Sequence, residues 1–188
     1  STNATDAGLG GNVEFLCETS QHSLAFDGDV DEFCAQVTQQ RDRVERLFGK
    51  APRTFRNTEL VISEHVAETV ADLALDTLMG EGADGLLAGK SPCFLYRPRG
   101  CSRLNLMLRH YPLSDDIGFR FSNKKWPGYP LFADVFAGWL HEQARSREAG
   151  RDVQFIGLYI DYETFGEHQW AETGILDFMR HLPAHVLA

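Results

Sequence analysis

The run DVQFIGLYID, residues 152–161, is apolar almost throughout and then breaks abruptly into DYETFGEHQW. A strand that is apolar at nearly every position needs cover on both faces, which is the condition of a strand in a parallel sheet between helices. That requirement constrains the fold more than any other feature of the chain. It also raises a chemical question, because Asp161, Glu163, Glu167 and His168 gather with Tyr162, Phe165 and Trp170 where the buried strand runs out. Burying charge is costly, and strand ends in α/β proteins face a ligand cleft.

The remaining segments alternate in the way a parallel sheet demands. NVEFLCET (12–19) has strand length. VDEFCAQVTQQRDRVERLFG (30–49) carries Val30, Phe33, Val37, Val44, Leu47 and Phe48 near helical spacing and ends on Gly49, a C-cap signal. TFRNTELVIS (54–63) is strand-like, and EHVAETVADLALDTLMG (64–80) reads as a helix running into a short strand. CFLYRP and RLNLMLRHY are two further strand candidates around the turn-rich RGCS. LFADVFAGWLHEQARSRE (131–148) and HQWAETGILDFMRHL (168–182) read as helices. Strands alternating with helices predict βαβ units and a mostly parallel sheet. Chemistry in such folds collects at the carboxyl ends of strands. Three polar clusters are therefore expected on one rim: Glu18–His22, Arg56–Glu59 and Asp161–His168.

With 188 residues and 43% hydrophobic content, the chain can bury a core of its own. Its 18 Lys+Arg against 27 Asp+Glu give a net charge of −9. That balance disfavours nucleic acid or an anionic membrane surface as the main partner, since both reward a basic face. A neutral polar ligand suits it better. No apolar run approaches the ~20 residues of a membrane helix. The lead STNATDAGLGG (1–11) lacks the basic and apolar regions of an export signal, so it is expected to be a flexible lead and the chain cytoplasmic. Cys17, Cys34, Cys93 and Cys101 show no CxxC pairing and are expected as free thiols; a Cys93–Cys101 bridge across a hairpin is the other arrangement.

Two carboxylates from different strand ends are the minimum apparatus for cleaving a glycosidic bond. Glu59, in FRNTEL, has Arg56 and Asn57 as neighbours, and the guanidinium would favour the ionised form suited to a nucleophile. Glu163 and Glu167, if close, would keep Asp161 protonated as an acid. Tyr162, Phe165, Trp126 and Trp170 could stack on the C–H faces of sugar rings. Against this, Phe55 and Phe165 read more simply as core, while Trp126, in NKKWPGYP, lies in a polar loop. His168 could bind a sugar hydroxyl, or hold a divalent metal with Asp161 and Glu163. No second His stands three or four residues from it and HExxH is absent, so no metal is expected. His22 could contact ligand or cap a turn. His65, His110, His141, His181 and His185 read as surface or packing residues. Asp115–Asp116 in LSDDIGFRFS reads as a helix start rather than a site. Glu14 and Glu18 admit either a buried, partnered role or ligand binding.

VEFLCETSQHSLA, FRNTELVIS, LSDDIGFRFS and DYETFGEHQWAETGILDFMRHLP together resemble glycoside hydrolase family 57, in its α-amylase-like branch, from Asn12 to Pro183. The resemblance implies part of a (β/α)7 barrel over 12–188 and a retaining α-glucan hydrolase or 4-α-glucanotransferase needing no cofactor. By the same resemblance Glu59 matches the nucleophile and Asp161 the general acid/base. His22 falls in a cleft-lining motif, with Arg56, Asn57, Tyr162, Glu163 and His168 as neighbours. Starch, glycogen or maltooligosaccharides, all α-1,4-glucans, are the implied partners. The family's His-Gln-Pro motif on the first strand does not occur, so the chain is expected to begin at the third strand, with the first barrel strands and the later helical region missing. Such a partial barrel would expose sheet edges and favour homo-oligomers. The alternatives are a non-catalytic barrel that binds glucan or assembles with a partner, and a metal-dependent carbohydrate deacetylase.

Overall fold

The computed structural model describes residues 14–148 and 150–188, so the lead 1–11 lies outside the described residues. In chain order the helices are α1 (Val30–Phe48), α2 (Glu64–Asp72), α3 (Asp84–Leu87), α4 (Tyr111–Gly118), α5 (Ala133–Arg145) and α6 (Ile175–Val186). The strands are β1 (Thr54–Arg56), β2 (Thr77–Glu81), β3 (Asn105–Arg109), β4 (Arg147–Glu148) and β5 (Arg151–Asp152). They form two compact units. The first comprises the described part of Ser1–Glu81 with Leu95–Met107; the second comprises Gly82–Phe94 with Leu108–Ala188.

The first unit is a sheet in the order β1-β2-β3 with two helices. β1 and β2 pair in parallel, Phe55 against Leu78, as the βαβ reading requires. Each helix starts on a side chain that accepts an otherwise orphaned N–H: Asp29 takes Glu32 N at α1, and Ser63 takes Val66 N at α2. α1 stops where Gly49 turns left-handed, φ 72°. Its inward face brings Phe33 edge-on to Phe55, centroids 5.7 Å apart, with Val37, Val44, Val66, Val70 and Leu78 buried in the same unit. Of the 12–19 run, residues 12 and 13 lie outside the described residues. The rest contributes one parallel bridge, Cys17 to Phe55, with Cys17 N donating to Thr54 O and Arg56 N to Cys17 O. CFLYRP likewise reduces to one antiparallel bridge, Tyr96 to Leu106.

The second unit is mainly helical. α5 and α6 enclose a core of Phe121, Phe136, Phe178, Ile117, Ile175 and Leu182. The short β4–β5 pair is antiparallel. The strand expected over 152–161 does not form beyond Asp152, and among 153–160 only Gly157 is buried. Ile156, Leu158 and Ile160 pack against the helical core. Their backbone is held by separate donors and acceptors in place of a ladder: Gln154 N to Cys93 O (3.0 Å), His110 N to Gly157 O (2.8 Å), Tyr159 N to the Ser114 hydroxyl (3.2 Å) and Arg109 Nε to Tyr159 O (2.9 Å).

α4 corrects a second expectation. It starts at Tyr111, with the His110 ring accepting Leu113 N, so Asp115 and Asp116 lie inside the helix and not at its start. Each instead takes an arginine: Asp115 pairs with Arg109 and Asp116 with Arg120, both at 2.6 Å. Burial lowers the His110 pKa below 6.5, with Asp116 pulling the other way. An unfolded chain therefore takes up a proton at His110 that the folded chain refuses, and stability falls as pH drops through 6.5 toward the folded value. The cap reinforces the sign, since a ring protonated at both nitrogens accepts nothing. Thermal unfolding at pH 7.5 and 5.5 should show a pH-dependent loss that is smaller in His110→Asn, which keeps a capping acceptor but does not titrate.

All four cysteines are free thiols. Burial pushes Cys17 up to about 12 and Cys93 upward, which marks both as packing residues and poor nucleophiles.

Candidate functional site

Glu59 lies in the first unit and Asp161 in the second, and the clusters around them are built differently. In the first unit β1 ends at Arg56 and turns directly into a 3-10 turn, Thr58–Leu60. Glu59 and Leu60 both sit in the left-handed region at φ 55°, which non-glycine residues rarely occupy. The turn persists because groups beneath it fix it. Asn57, fully buried, donates its side-chain amide to Val61 O at 2.9 Å. The Thr58 hydroxyl lies 3.2 Å from that of buried Thr19. Leu60 enters the core while Glu59 turns outward, its side chain 73% exposed. Strain held in this way by its surroundings is a mark of functional sites.

His22, itself at φ 50°, links two carboxylates. Its Nε2 lies 3.4 Å from Glu59 Oε1 and its Nδ1 3.6 Å from Glu18 Oε2. Arg56 Nη1 approaches the same Glu18 oxygen at 3.3 Å. The arginine that sequence proximity assigns to Glu59 is thus linked to it through the series Arg56–Glu18–His22–Glu59. Glu14, by contrast, accepts Arg53 N and Thr54 N and serves to open β1. Asn57 is a support of the turn, with no exposed surface to offer a ligand.

In the second unit the loop 161–170 begins with Asp161 at the cap of a 3-10 turn, Tyr162–Thr164, whose Thr164 N donates to Asp161 O at 3.1 Å. Asp161, Glu163 and His168 are exposed; Tyr162 is 90% and Trp170 64% exposed. The loop closes through Gln169 N to Thr164 O and Gly166 N to Gln169 O. Gln169 is buried and donates its side-chain amide to Gly118 O at 3.1 Å. Sequence reading missed this anchor, and the only signal was a glutamine set between Phe165 and Trp170. Phe165 packs on the helical core as expected. Trp126 is half-buried, edge-on to Trp139 at 6.2 Å with Arg120 over its ring, so its loop position conceals a packing role.

Among the described residues no three His, Cys, Asp or Glu side chains are grouped to hold a metal ion, and no helix is long and apolar enough to cross a membrane. A groove of about 380 Å³ in the second unit is lined by Tyr129, Phe132, Asp134, Asp177 and His181 among others, and by none of the predicted site residues.

Comparison with known proteins matches the sequence to a family. The sequence profile described as "Glycosyl hydrolase family 57" matches residues 8–187. A protein of Methanocaldococcus jannaschii named "Putative alpha-amylase" is 42% identical over 179 residues, covering 94% of this chain and 36% of its own length. The chain thus spans little more than a third of that relative. The crystal structure of 4-alpha-glucanotransferase from Thermococcus litoralis superposes with a TM-score of 0.68 at 16% identity, over 91% of this chain and 26% of that one. A structure named as a putative polysaccharide deacetylase, from Mycobacterium smegmatis, gives 0.53 at 14% identity, over 89% of this chain and 55% of that one. At these identities the two structures speak for the α/β fold alone.

Proposed function

Because the chain belongs to glycosyl hydrolase family 57, we propose that it carries the catalytic residues of a retaining α-glucan hydrolase, with Glu59 as nucleophile and Asp161 as general acid/base. The observation that carries the reading is the placement of Glu59. An exposed carboxylate on a strained turn, fixed from below by buried groups, is directed at solvent, and what it meets is a half-exposed histidine and not a buried partner that would require it there.

The chemistry follows from the two groups. Glu59 attacks the anomeric carbon of an α-1,4-glucan as Asp161 protonates the departing glycosidic oxygen, leaving a glycosyl ester on Glu59. Asp161, now a carboxylate, takes a proton from water, which cleaves the ester with net retention. His22 donates to the Glu59 carboxylate and, with Arg56, offsets the second negative charge on Glu18. Tyr162, Glu163, His168 and Trp170 grip the sugar around Asp161, and neither step needs a metal or organic cofactor. The exposed aromatics at Tyr162 and Trp170 favour a second outcome of the same intermediate, transfer to a sugar hydroxyl in place of water.

The test is reducing-end release from maltoheptaose by the chain, beside Asp161→Asn. The unaltered chain should turn over and Asp161→Asn should lose about 10²–10⁴-fold. Chromatography of the products separates hydrolysis from transfer. Turnover undiminished in Asp161→Asn would remove it from the chemistry.

A further inference from the structure

The SDD of LSDDIGFRFS takes no part in the chemistry above, yet its helix holds the loop of Asp161 at both ends. We propose that α4, through Ser114, Asp115 and the carbonyl of Gly118, is the device that positions Asp161 for proton transfer, with Arg109 and Gln169 as the links. This rests on the acid/base reading of Asp161.

The entrance to the loop is fixed at Tyr159, two residues before Asp161. Tyr159 N donates to Ser114 Oγ at 3.2 Å, and Ser114 is fully buried. Tyr159 O accepts Arg109 Nε at 2.9 Å, and Arg109 Nη2 donates to Asp115 Oδ1 at 2.6 Å. Arg109 and Asp115 are only 14% and 22% exposed, so their attraction is less screened than that of a surface pair. The segment also runs close to Leu108 of the same unit: a Cβ on Gly157 would come within 2.7 Å of Leu108 O. The exit is fixed at Gln169, whose side-chain amide donates to Gly118 O at the end of the same helix. Inside these two points, Thr164 is buried and its N–H holds Asp161 O.

Ordinarily a strand ladder would locate a residue at a sheet edge. Here 153–160 has none, and polar groups of α4 do the locating. Asp116 has a separate task, since it pairs with Arg120, which also reaches Pro112 O and so ties α4 to itself. A general acid must lie within hydrogen-bond reach of the atom it protonates, and a displacement of about 1 Å costs on the order of 10²-fold. Ser114, Asp115 and Arg109 are thus positioning residues that act through Asp161.

The discriminating readout is leaving-group dependence. Maltoheptaose needs a proton on its departing oxygen; α-maltosyl fluoride does not. Asp115→Asn and Ser114→Ala should lower kcat/KM on maltoheptaose by about tenfold or more while changing kcat/KM on the fluoride by less than about threefold, because kcat/KM reports only the steps up to formation of the glycosyl ester and not its later cleavage, in which Asp161 acts as base for both substrates. Arg109→Lys, which keeps the charge, should recover part of the loss that Arg109→Ala causes. Equal loss on both substrates overturns the proposal, because a general loss of structure does not distinguish leaving groups. Asp161→Asn run alongside separates the two readings. If it shows no preference for the fluoride, the acid/base reading fails and the proposal with it. Amide exchange tests the clamp independently of turnover. Ser114→Ala and Asp115→Asn should deprotect 157–169 while α4 stays protected, and unchanged protection of the loop would overturn the clamp.

Discussion

Glu59→Gln should lower turnover of maltoheptaose by about 10⁴-fold while leaving both maltoheptaose binding and the unfolding temperature close to those of the unaltered chain. The size of the effect follows from the role. A carboxamide cannot form the glycosyl ester through which a retaining reaction passes, so the loss is of the step itself. Stability is spared because the Glu59 side chain is 73% exposed and contributes nothing to the groups that fix its turn. Those are the Asn57 amide on Val61 O, the Thr58–Thr19 hydroxyl pair and the buried Leu60. Glutamine is isosteric, adopts the same left-handed backbone at the same cost of about 1–2 kcal/mol, and still offers His22 Nε2 an amide oxygen. Reducing-sugar assay, calorimetric titration with maltoheptaose and a thermal melt measure the three quantities. Turnover within tenfold of the unaltered chain would sink the nucleophile assignment.

FRNTEL identifies the nucleophile candidate, but nothing local in it reveals the left-handed turn. Thr58 depends on Thr19, 39 residues earlier, and such a contact has no periodicity to betray it. The same limit explains Arg56. Two carboxylates, Glu18 and Glu59, are within its reach in principle, and it pairs with Glu18 of the preceding polar cluster. α1 was fully legible because Asp29 and Gly49 mark its ends by local chemistry. α4 was not, since its cap is a histidine, outside the usual Ser, Thr, Asp and Asn set. The run 152–161 shows what apolar patterning omits. It reports that Ile156, Leu158 and Ile160 are inward, which holds, but not whether their backbone meets another strand or side chains such as Arg109 and Ser114. Trp126 shows the converse limit: Lys124 and Lys125 are exposed, and their polarity gives no sign that the neighbouring ring packs on Trp139.

Phe136→Ala should destabilise the second unit by about 3–5 kcal/mol, read as a fall in the denaturant midpoint. Phe136 has no exposed surface and is the hinge of an aromatic series. Its ring meets Phe178 of α6 at 5.7 Å and Trp139 at 5.9 Å, both edge-on, and Phe178 in turn meets Phe121 at 5.1 Å. Edge-to-face pairs of this kind add to the burial of area itself, and removing the central ring leaves a cavity that α5 and α6 cannot close without breaking their other contacts. Native domains hold only about 5–15 kcal/mol in reserve, so the loss is a large fraction of the whole. Phe132→Ala, one turn earlier but 59% exposed, is the matched control and should cost less than about 0.5 kcal/mol. The same core receives Ile156, Leu158, Ile160 and Phe165, the residues on either side of Asp161. Phe136→Ala should therefore also loosen the loop that carries Asp161, the proposed acid, so that maltoheptaose turnover falls at temperatures well below unfolding. A loss under about 1 kcal/mol would mean that α5 and α6 repack freely, and the helical core could not then add to the hold that α4 has on the loop.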